Sequence, residues 1–347
     1  MAGALEKLLG HPTIGSKSWV WKQYDHMVMS GCTVEPGSDA GVVRLSIAGI
    51  DKYLAIANDC NHRFCFLDPY RGAQIAFVEC MRNLACSGAK ALAVTDNLNF
   101  GNPNKPEAYY MLKECVKGLA DACAHFDVPV VGGNVSLYNE HGDGAIDPTP
   151  VVSMVGLIDK SELVTRSTIS GAGQSVVLLG GFSDELGGSY FLQTQHGLKE
   201  GKVPIVDLEG EAKLQGLLIG GIELGLISSA HDLAEGGLLV AMLEMLFGDL
   251  NLGAEIKMDT LDSNARLDAL LFGESQGRAL IGVSPENLSS LLDLANQSGV
   301  SAQVLGQTTE NEVFSLKVDD EEILNSDVSK LRKIWEDAIP SMMQLSQ

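Results

Sequence analysis

The chain has 347 residues, of which 45% are hydrophobic and 20% charged; that is long enough for two domains, each able to bury a core without staples. With 24 basic against 45 acidic residues the net charge is −21, a field that repels nucleic acid and anionic membrane surfaces and so excludes both as partners. Seven cysteines at 32, 60, 65, 80, 86, 115 and 123, with no C-x-x-C pair, read as reduced thiols in core packing and predict a cytoplasmic protein. No charged-then-apolar leader and no run of about 18 apolar residues occurs, and the Asn134-Val135-Ser136 sequon is then accidental.

In chain order, residues 1–40 are mixed, with Trp19, Trp21 and a Pro36-Gly37-Ser38-Asp39 turn. β-Branched and apolar runs predict strands at 42–47 and 53–57. Ala73, Phe77, Cys80 and Leu84 recur at helical spacing and predict a helix over 73–86, stopped by Gly88. A buried strand at 89–94, a helix at 106–125, a buried strand at 128–131 and a strand at 151–158 follow. The polar stretch 159–174 is the best domain boundary, which gives units of 1–165 and 166–347. The second unit reads as strand 175–179, the Gly180-Gly181 turn, and helices near 186–193, 211–226 and 236–247. Strand 278–283, helix 285–298, strand 302–305 and a closing helix at 330–345 complete it. Strands alternating with helices of this length predict an α/β or α+β layered sheet.

Two polar segments each follow a predicted buried strand and read as turns: Thr95–Pro103 and Gly132–Glu140. Ligands gather beyond the carboxyl ends of strands in open α/β sheets, so two such turns can converge on one. Adjacent Gly132 and Gly133 let a backbone approach a phosphate. Asp96 and Asn134 offer the hard oxygens magnesium takes, and Ser136 a small hydroxyl. The same residues also suit Asx-rich turns that satisfy only their own backbones. The turn at 180–189, which includes Ser183, opens a helix, but it is neither a Walker A loop nor a G-x-G-x-x-G fingerprint. His231–Gly237 and Glu274–Arg278 are further turns that read equally well as structural. No G-x-S-x-G elbow and no H-x-x-x-H pair occurs, and His62, beside Arg63 and Asn58–Asn61, reads as a lone hydrogen-bonded structural histidine.

At these segments the sequence resembles a known family. Trp19–Val28, Asn58–Asn61, Leu67–Tyr70, Thr95–Pro103, Gly132–Glu140, His231–Gly237 and Phe272–Gln276 are similar to phosphoribosylformylglycinamidine synthase, in the synthetase subunit of its small, multi-subunit form. The resemblance covers nearly the whole chain and matches only the second, C-terminal half of that subunit. It implies one aminoimidazole-ribonucleotide-synthetase-like unit: an N-terminal α/β domain whose sheet pairs with a second copy, then a C-terminal α/β domain. It implies a ligase of purine biosynthesis that uses ATP and Mg2+ to convert formylglycinamide ribonucleotide to its amidine. By that resemblance Asp96 and Gly133 touch ATP, Asn134 binds magnesium and Ser136 contacts the ribonucleotide substrate. The family's catalytic histidine lies in the first half and nothing here resembles its motif, so no catalytic residue is assigned. The implied partners are that first half, a glutaminase subunit that supplies ammonia, and a small accessory subunit, with homodimerisation through the exposed sheet as a further expectation. A half-site enzyme is one reading; a non-catalytic scaffold holding a structural nucleotide at the 180–189 and 231–237 turns is the other. A homodimeric relative of the same superfamily is disfavoured by the Thr95–Pro103 string.

Overall fold

The computed structural model describes residues 1–142, 144–182, 184–259 and 266–345, without the side chain of Leu345. The chain runs α1 (Ala2–Leu9), α2 (Ser18–Trp21), β1 (Cys32–Val34), β2 (Gly41–Ile47), β3 (Ile50–Asp59), α3 (His62–Leu67), α4 (Pro69–Cys86), β4 (Lys90–Asn99), α5 (Pro106–Phe126) and β5 (Val130–Ser136). A short hairpin of β6 (Glu140–His141) and β7 (Gly144–Ala145) precedes β8 (Thr149–Ile158). Then come β9 (Ser175–Leu179), α6 (Tyr190–His196), α7 (Leu208–Glu223), β10 (Ser229–Asp232), α8 (Gly237–Leu246), β11 (Gly253–Met258) and α9 (Leu267–Phe272). β12 (Ala279–Val283), α10 (Leu288–Ser298), β13 (Ala302–Thr309), β14 (Val313–Val318), β15 (Glu321–Asp327) and α11 (Val328–Leu345) close the chain.

The strands form two mixed sheets, ordered β1-β2-β3-β8-β4-β5 and β10-β12-β9-β13-β11-β14-β15. In the first, β4 and β5 are parallel and every other pair is antiparallel. Its inner face presents Tyr53, Ala55, Ala57, Val94, Leu98, Val152 and Met154 to α4 and α5. α4 starts where Asp68 Oδ1 accepts from the Arg71 amide at 3.0 Å and Pro69 takes the first helical position. It is buried nearly all round because it packs against β3, β8, α5, α7 and β10 together.

The second sheet is covered on one face throughout and on the other over β10, β12 and β9, while Glu255, Lys257, Val304 and Lys317 leave the rest of that face open. Val177, Leu179, Ile281 and Val283 meet α7, α10 and the end of α4, where Ala85 and Cys86 enter the same cluster. Leu178, Leu280, Ile256, Phe314 and Leu316 meet α1, α8, α9 and α11 on the other. Leu5, Leu8 and Leu9 of α1 thus lie in the second core, although they open the chain. Trp335 Nε1 donates to the Ile14 carbonyl at 3.0 Å and ties that opening segment to α11.

The layered α/β class agrees with the expectation, and several elements differ from it. β4 continues through Asn99 and β5 through Ser136, so 95–99 and 132–136 are strand, not turn. Asx and glycine residues argue for a turn in isolation, yet here the parallel ladder from Thr95↔Gly132 to Asn99↔Ser136 takes up their main-chain groups. β5 was expected to be buried and is an edge strand, with Val131 65% exposed. The helix expected near 186–193 runs instead from Tyr190, capped by Ser189 Oγ on the Leu192 amide. α1, α2, α3, β1, β6, β7, β10, β11, α9, β14 and β15 were not foreseen. No helix among the described residues is long and apolar enough to cross a membrane.

Candidate functional site

The β4–β5 pair sets Asp96 opposite Gly133, Asn97 opposite Asn134 and Asn99 opposite Ser136. All four residues expected to form the site are therefore neighbours. Side chains alternate across a strand, however, so they divide between the two faces. Asp96 shares the helix-covered face with Val94, Leu98 and its β8 partner Val152, and its charge reaches the Cys123 thiol on α5. Asn134 and Ser136 lie on the opposite, open face.

Asp96 is half-buried, and burial raises its carboxyl above the usual range. Its carboxylate lies against Gly133: a Cβ there would overlap Asp96 Oδ1 and stand 2.7 Å from the Asp96 carbonyl oxygen. Only glycine fits, for close approach of two strands rather than for a turn. On the open face Asn134 Nδ2 donates to Asn97 Oδ1 at 3.0 Å, which leaves Asn134 Oδ1 outward and available. Asn139 holds the end of β5 by donating from Nδ2 to the carbonyls of Ser136 at 2.9 Å and Phe100 at 3.1 Å. The true turns lie beyond these strands, at Phe100–Lys105 and at Leu137–Asn139, where Tyr138 takes a φ of 60°.

β3, β4 and β5 point the same way, so Asn58, Asn97 and Ser136 mark one carboxyl edge of the sheet. Along that edge the open face is polar: Asn58 hydrogen-bonds Ser153 across to β8, with Thr95 beside it, then Asn97 and Asn134. Further along the strands the same face turns apolar, with Leu54, Ile56, Val155 and Leu157 in adjoining rows. Because β5 pairs only with β4, its outer main-chain edge is open too.

This arrangement suits an anionic ligand lying along the β5 edge, within reach of both faces. For magnesium the described residues offer Asn134 Oδ1 and no cluster of three His, Cys, Asp or Glu ligands. That fits an ion that keeps waters and phosphate oxygens and takes one or two protein ligands.

A second cluster, which sequence reasoning took only in pieces, joins the two sheets. Arg82 of α4 is fully buried and ion-paired with Asp232 of β10 and Glu211 of α7; its Nη2 donates to Gln276 Oε1 at 3.1 Å. Glu79 lies one turn earlier, 3.8 Å from the guanidinium. Burial and the Glu235 charge push Asp59 well up, while burial and Asp59 do the same to Glu79; these two carboxyls hydrogen-bond each other. Glu274 Oε1 accepts from the amides of Tyr190 at 2.8 Å and Gly236 at 2.9 Å, and burial with Glu235 pushes its pKa up to about 8. The signal that could have found the cluster is Glu79 and Arg82 set among the apolar residues Ile75–Val78, Cys80, Met81, Leu84 and Ala85 of α4. As folded, Arg82 is neutralised from three sides, and the cluster is a closed junction.

The glycine turns expected for a structural nucleotide are likewise filled by protein. A Cβ at Gly180 would strike the Gly277 carbonyl, one at Gly187 would strike Lys202, and one at Gly237 would lie 2.6 Å from the Gly273 carbonyl. Ser183 of the 180–189 turn lies outside the described residues. Arg63 is a structural clamp: it donates to the carbonyls of Gly188 and Leu198, both at 2.9 Å, and to Gln193 Oε1 at 2.6 Å. A cavity of about 750 Å3 near Arg71, Leu186, Phe191, Lys202 and Ile205 involves none of the four expected site residues.

Two family models match in tandem: AIR synthase related protein, N-terminal domain, over residues 37–158, and AIR synthase related protein, C-terminal domain, over 171–319. The chain belongs to the AIR synthase related family. It is 41% identical, over 99% of its length, to phosphoribosylformylglycinamidine synthase subunit PurL of Alkaliphilus metalliredigens, and covers 46% of that protein. The chain thus spans about half the length of the curated relatives it matches. Among solved structures, Thermotoga maritima PurL complexed with FGAR superposes with a TM-score of 0.75 at 23% identity, covering 95% of this chain and 53% of that one. The same protein complexed with ATP gives 0.69 at 22%, covering 94% and 52%. At such identities these structures establish the fold of the family member described here.

Proposed function

We propose that this chain is the C-terminal half of an ATP-dependent ligase that converts formylglycinamide ribonucleotide to formylglycinamidine ribonucleotide in purine biosynthesis. The observation that carries the reading is the β4–β5 pair, which puts Asp96 of β4 in register with Gly133, Asn134 and Ser136 of the edge strand β5. In this reading Asp96 and the Gly133 backbone hold ATP, Asn134 Oδ1 ligates magnesium, and Ser136 contacts the ribonucleotide. Magnesium, when bound, supplies neutralisation of phosphoryl charge. The strand edge fixes the phosphates against the formyl amide oxygen, so that phosphorylation turns a poor leaving group into a good one. Ammonia then displaces phosphate.

The chain brings one wall of that site. No residue here is assigned as its acid or base, and the open sheet face fits the first half of the synthetase as its cover. Ammonia is assigned to a separate glutaminase subunit, alongside a small accessory subunit, in the cytoplasm. The two units divide at 165/166, with α1 docked back on the second. The scaffold reading gains nothing from the filled glycine turns.

The test is a reconstitution with ammonia, ATP, magnesium and formylglycinamide ribonucleotide. The chain alone is expected to form no amidine, and adding a first-half fragment is expected to start turnover. Turnover by the isolated chain would sink the half-site reading.

A further inference from the structure

α3 begins with an ordinary cap: Asn61 Oδ1 accepts from the amides of Arg63 and Phe64, both at 3.2 Å. That makes Cys60 the residue just before the cap and Cys65 the fourth residue of the helix. Side chains at those two positions meet across the start of a helix, normally as an apolar staple. Here both are thiols. The Cys65 thiol is in hydrogen-bond contact with Cys115 of α5 and with Cys60. Cys65 and Cys115 are buried, whereas Cys60 is partly exposed.

We propose that Cys60 and Cys65 form a peroxide-oxidisable dithiol, a modification site at the junction of β3 and α3. Cys60, the exposed member, meets the oxidant first. Its sulfur attacks a hydroperoxide oxygen: an S–O bond forms, the O–O bond breaks, and the alcohol, or water from hydrogen peroxide, leaves with the thiol proton. Cys65 sulfur then attacks the Cys60 sulfenic acid, the S–S bond forms, and water leaves with the second proton. Two thiols give up two electrons and the peroxide takes both. Contacts with Cys115 and Cys60, together with burial, raise the Cys65 thiol well above its usual range. Cys65 is buried and shielded from the oxidant, so its part is that of the resolving partner once the neighbouring sulfur is electrophilic. The disulfide closes a loop over Asn61 and fixes the cap, and thiol exchange reverses it.

Cys32 and Cys123 are also partly exposed and serve as internal controls. The native chain is treated with a slight excess of hydrogen peroxide, alkylated and digested. Trypsin cuts after Arg63, between the two cysteines, so the disulfide appears as two linked fragments. The expected disulfide is the Cys60–Cys65 link, reversed by dithiothreitol, while Cys32 and Cys123 form no intramolecular disulfide. In Cys65→Ser, Cys60 is expected to persist as a sulfenic acid that a dimedone probe captures. Where that variant misfolds, the wild-type map alone decides. Cys60 left as a sulfenic acid in the wild-type chain, or pairing first with Cys115 or a second molecule, would overturn the proposal.

Discussion

Gly133 leaves no room for a side chain, because the Asp96 carboxylate occupies the space a Cβ would take. Gly133→Ala must therefore push the two strands apart or swing Asp96 aside, at a cost of about 1–3 kcal/mol, read from urea unfolding midpoints. Its neighbour behaves differently. Asn134 is exposed and bonded only to Asn97, so Asn134→Ala should change stability by no more than about 0.5 kcal/mol. In the reconstituted enzyme the same change should sharply weaken magnesium-dependent turnover; an equal loss of stability and turnover would make Asn134 merely structural. Residue type was legible at these positions: hard oxygens, a small hydroxyl and paired glycines stand out from any single sequence. The face each occupies was not, because a segment read as turn carries no alternation, and only the β4 ladder imposes one. Arg82 was illegible for another reason, since its partners come from 129 and 150 residues away in sequence. Arg82→Met would strand Asp232 and Glu211 in the interior and should cost about 3–5 kcal/mol.

Elements were readable where apolar residues recur with a period and a cap or glycine ends the run, as in α4, α5, β8 and β12. β14 alternates Phe314, Leu316 and Val318 inward and had the signal, but the strand is short and lies among polar residues. α1 was missed because its three buried leucines find their core in the distant second sheet. Leu8→Ala in that helix should cost about 2–5 kcal/mol, as for other fully buried leucines. Hydrogen exchange should show loosening around α8 and α11 rather than in the first sheet. The loop before β12 carries part of the pH dependence. Glu274 rises from an ordinary 4.5 to about 8, so the fold favours its neutral form. Stability from this group is complete below about pH 4.5 and is lost as pH climbs towards 8, with a slope of at most about 1.4 kcal/mol per unit. Glu274→Gln is neutral throughout and should flatten the fall in urea midpoint between about pH 5.5 and 8. An unchanged slope would clear Glu274 of the effect.

For the whole molecule the asymmetry between the two sheets matters most. The second is covered on both faces over β10, β12 and β9 and shows mainly charged residues where it is open, while the first has helices on one side and leaves Ile56 48% and Val43 38% exposed on the other. An open apolar face on a stable sheet is an interaction surface or a hazard. Alternating patterns in β3 and β8 would have shown which residues point outward, but nothing in one sequence says whether a layer of the same chain covers them. Here the apolar rows of Leu54, Ile56, Val155 and Leu157 adjoin the polar strip of Asn58, Ser153, Asn97 and Asn134. A partner sheet seated on the apolar rows would therefore roof the polar edge in the same act, which couples assembly to completion of the site. Ile56→Asp tests that coupling. The side chain already meets solvent, so the isolated chain should keep its unfolding midpoint within about 0.5 kcal/mol. A charge in the centre of a docking face should instead abolish self-association in sedimentation and prevent the first-half fragment from restoring turnover. If Ile56→Asp assembles and turns over normally, the open face is not the surface that closes the site.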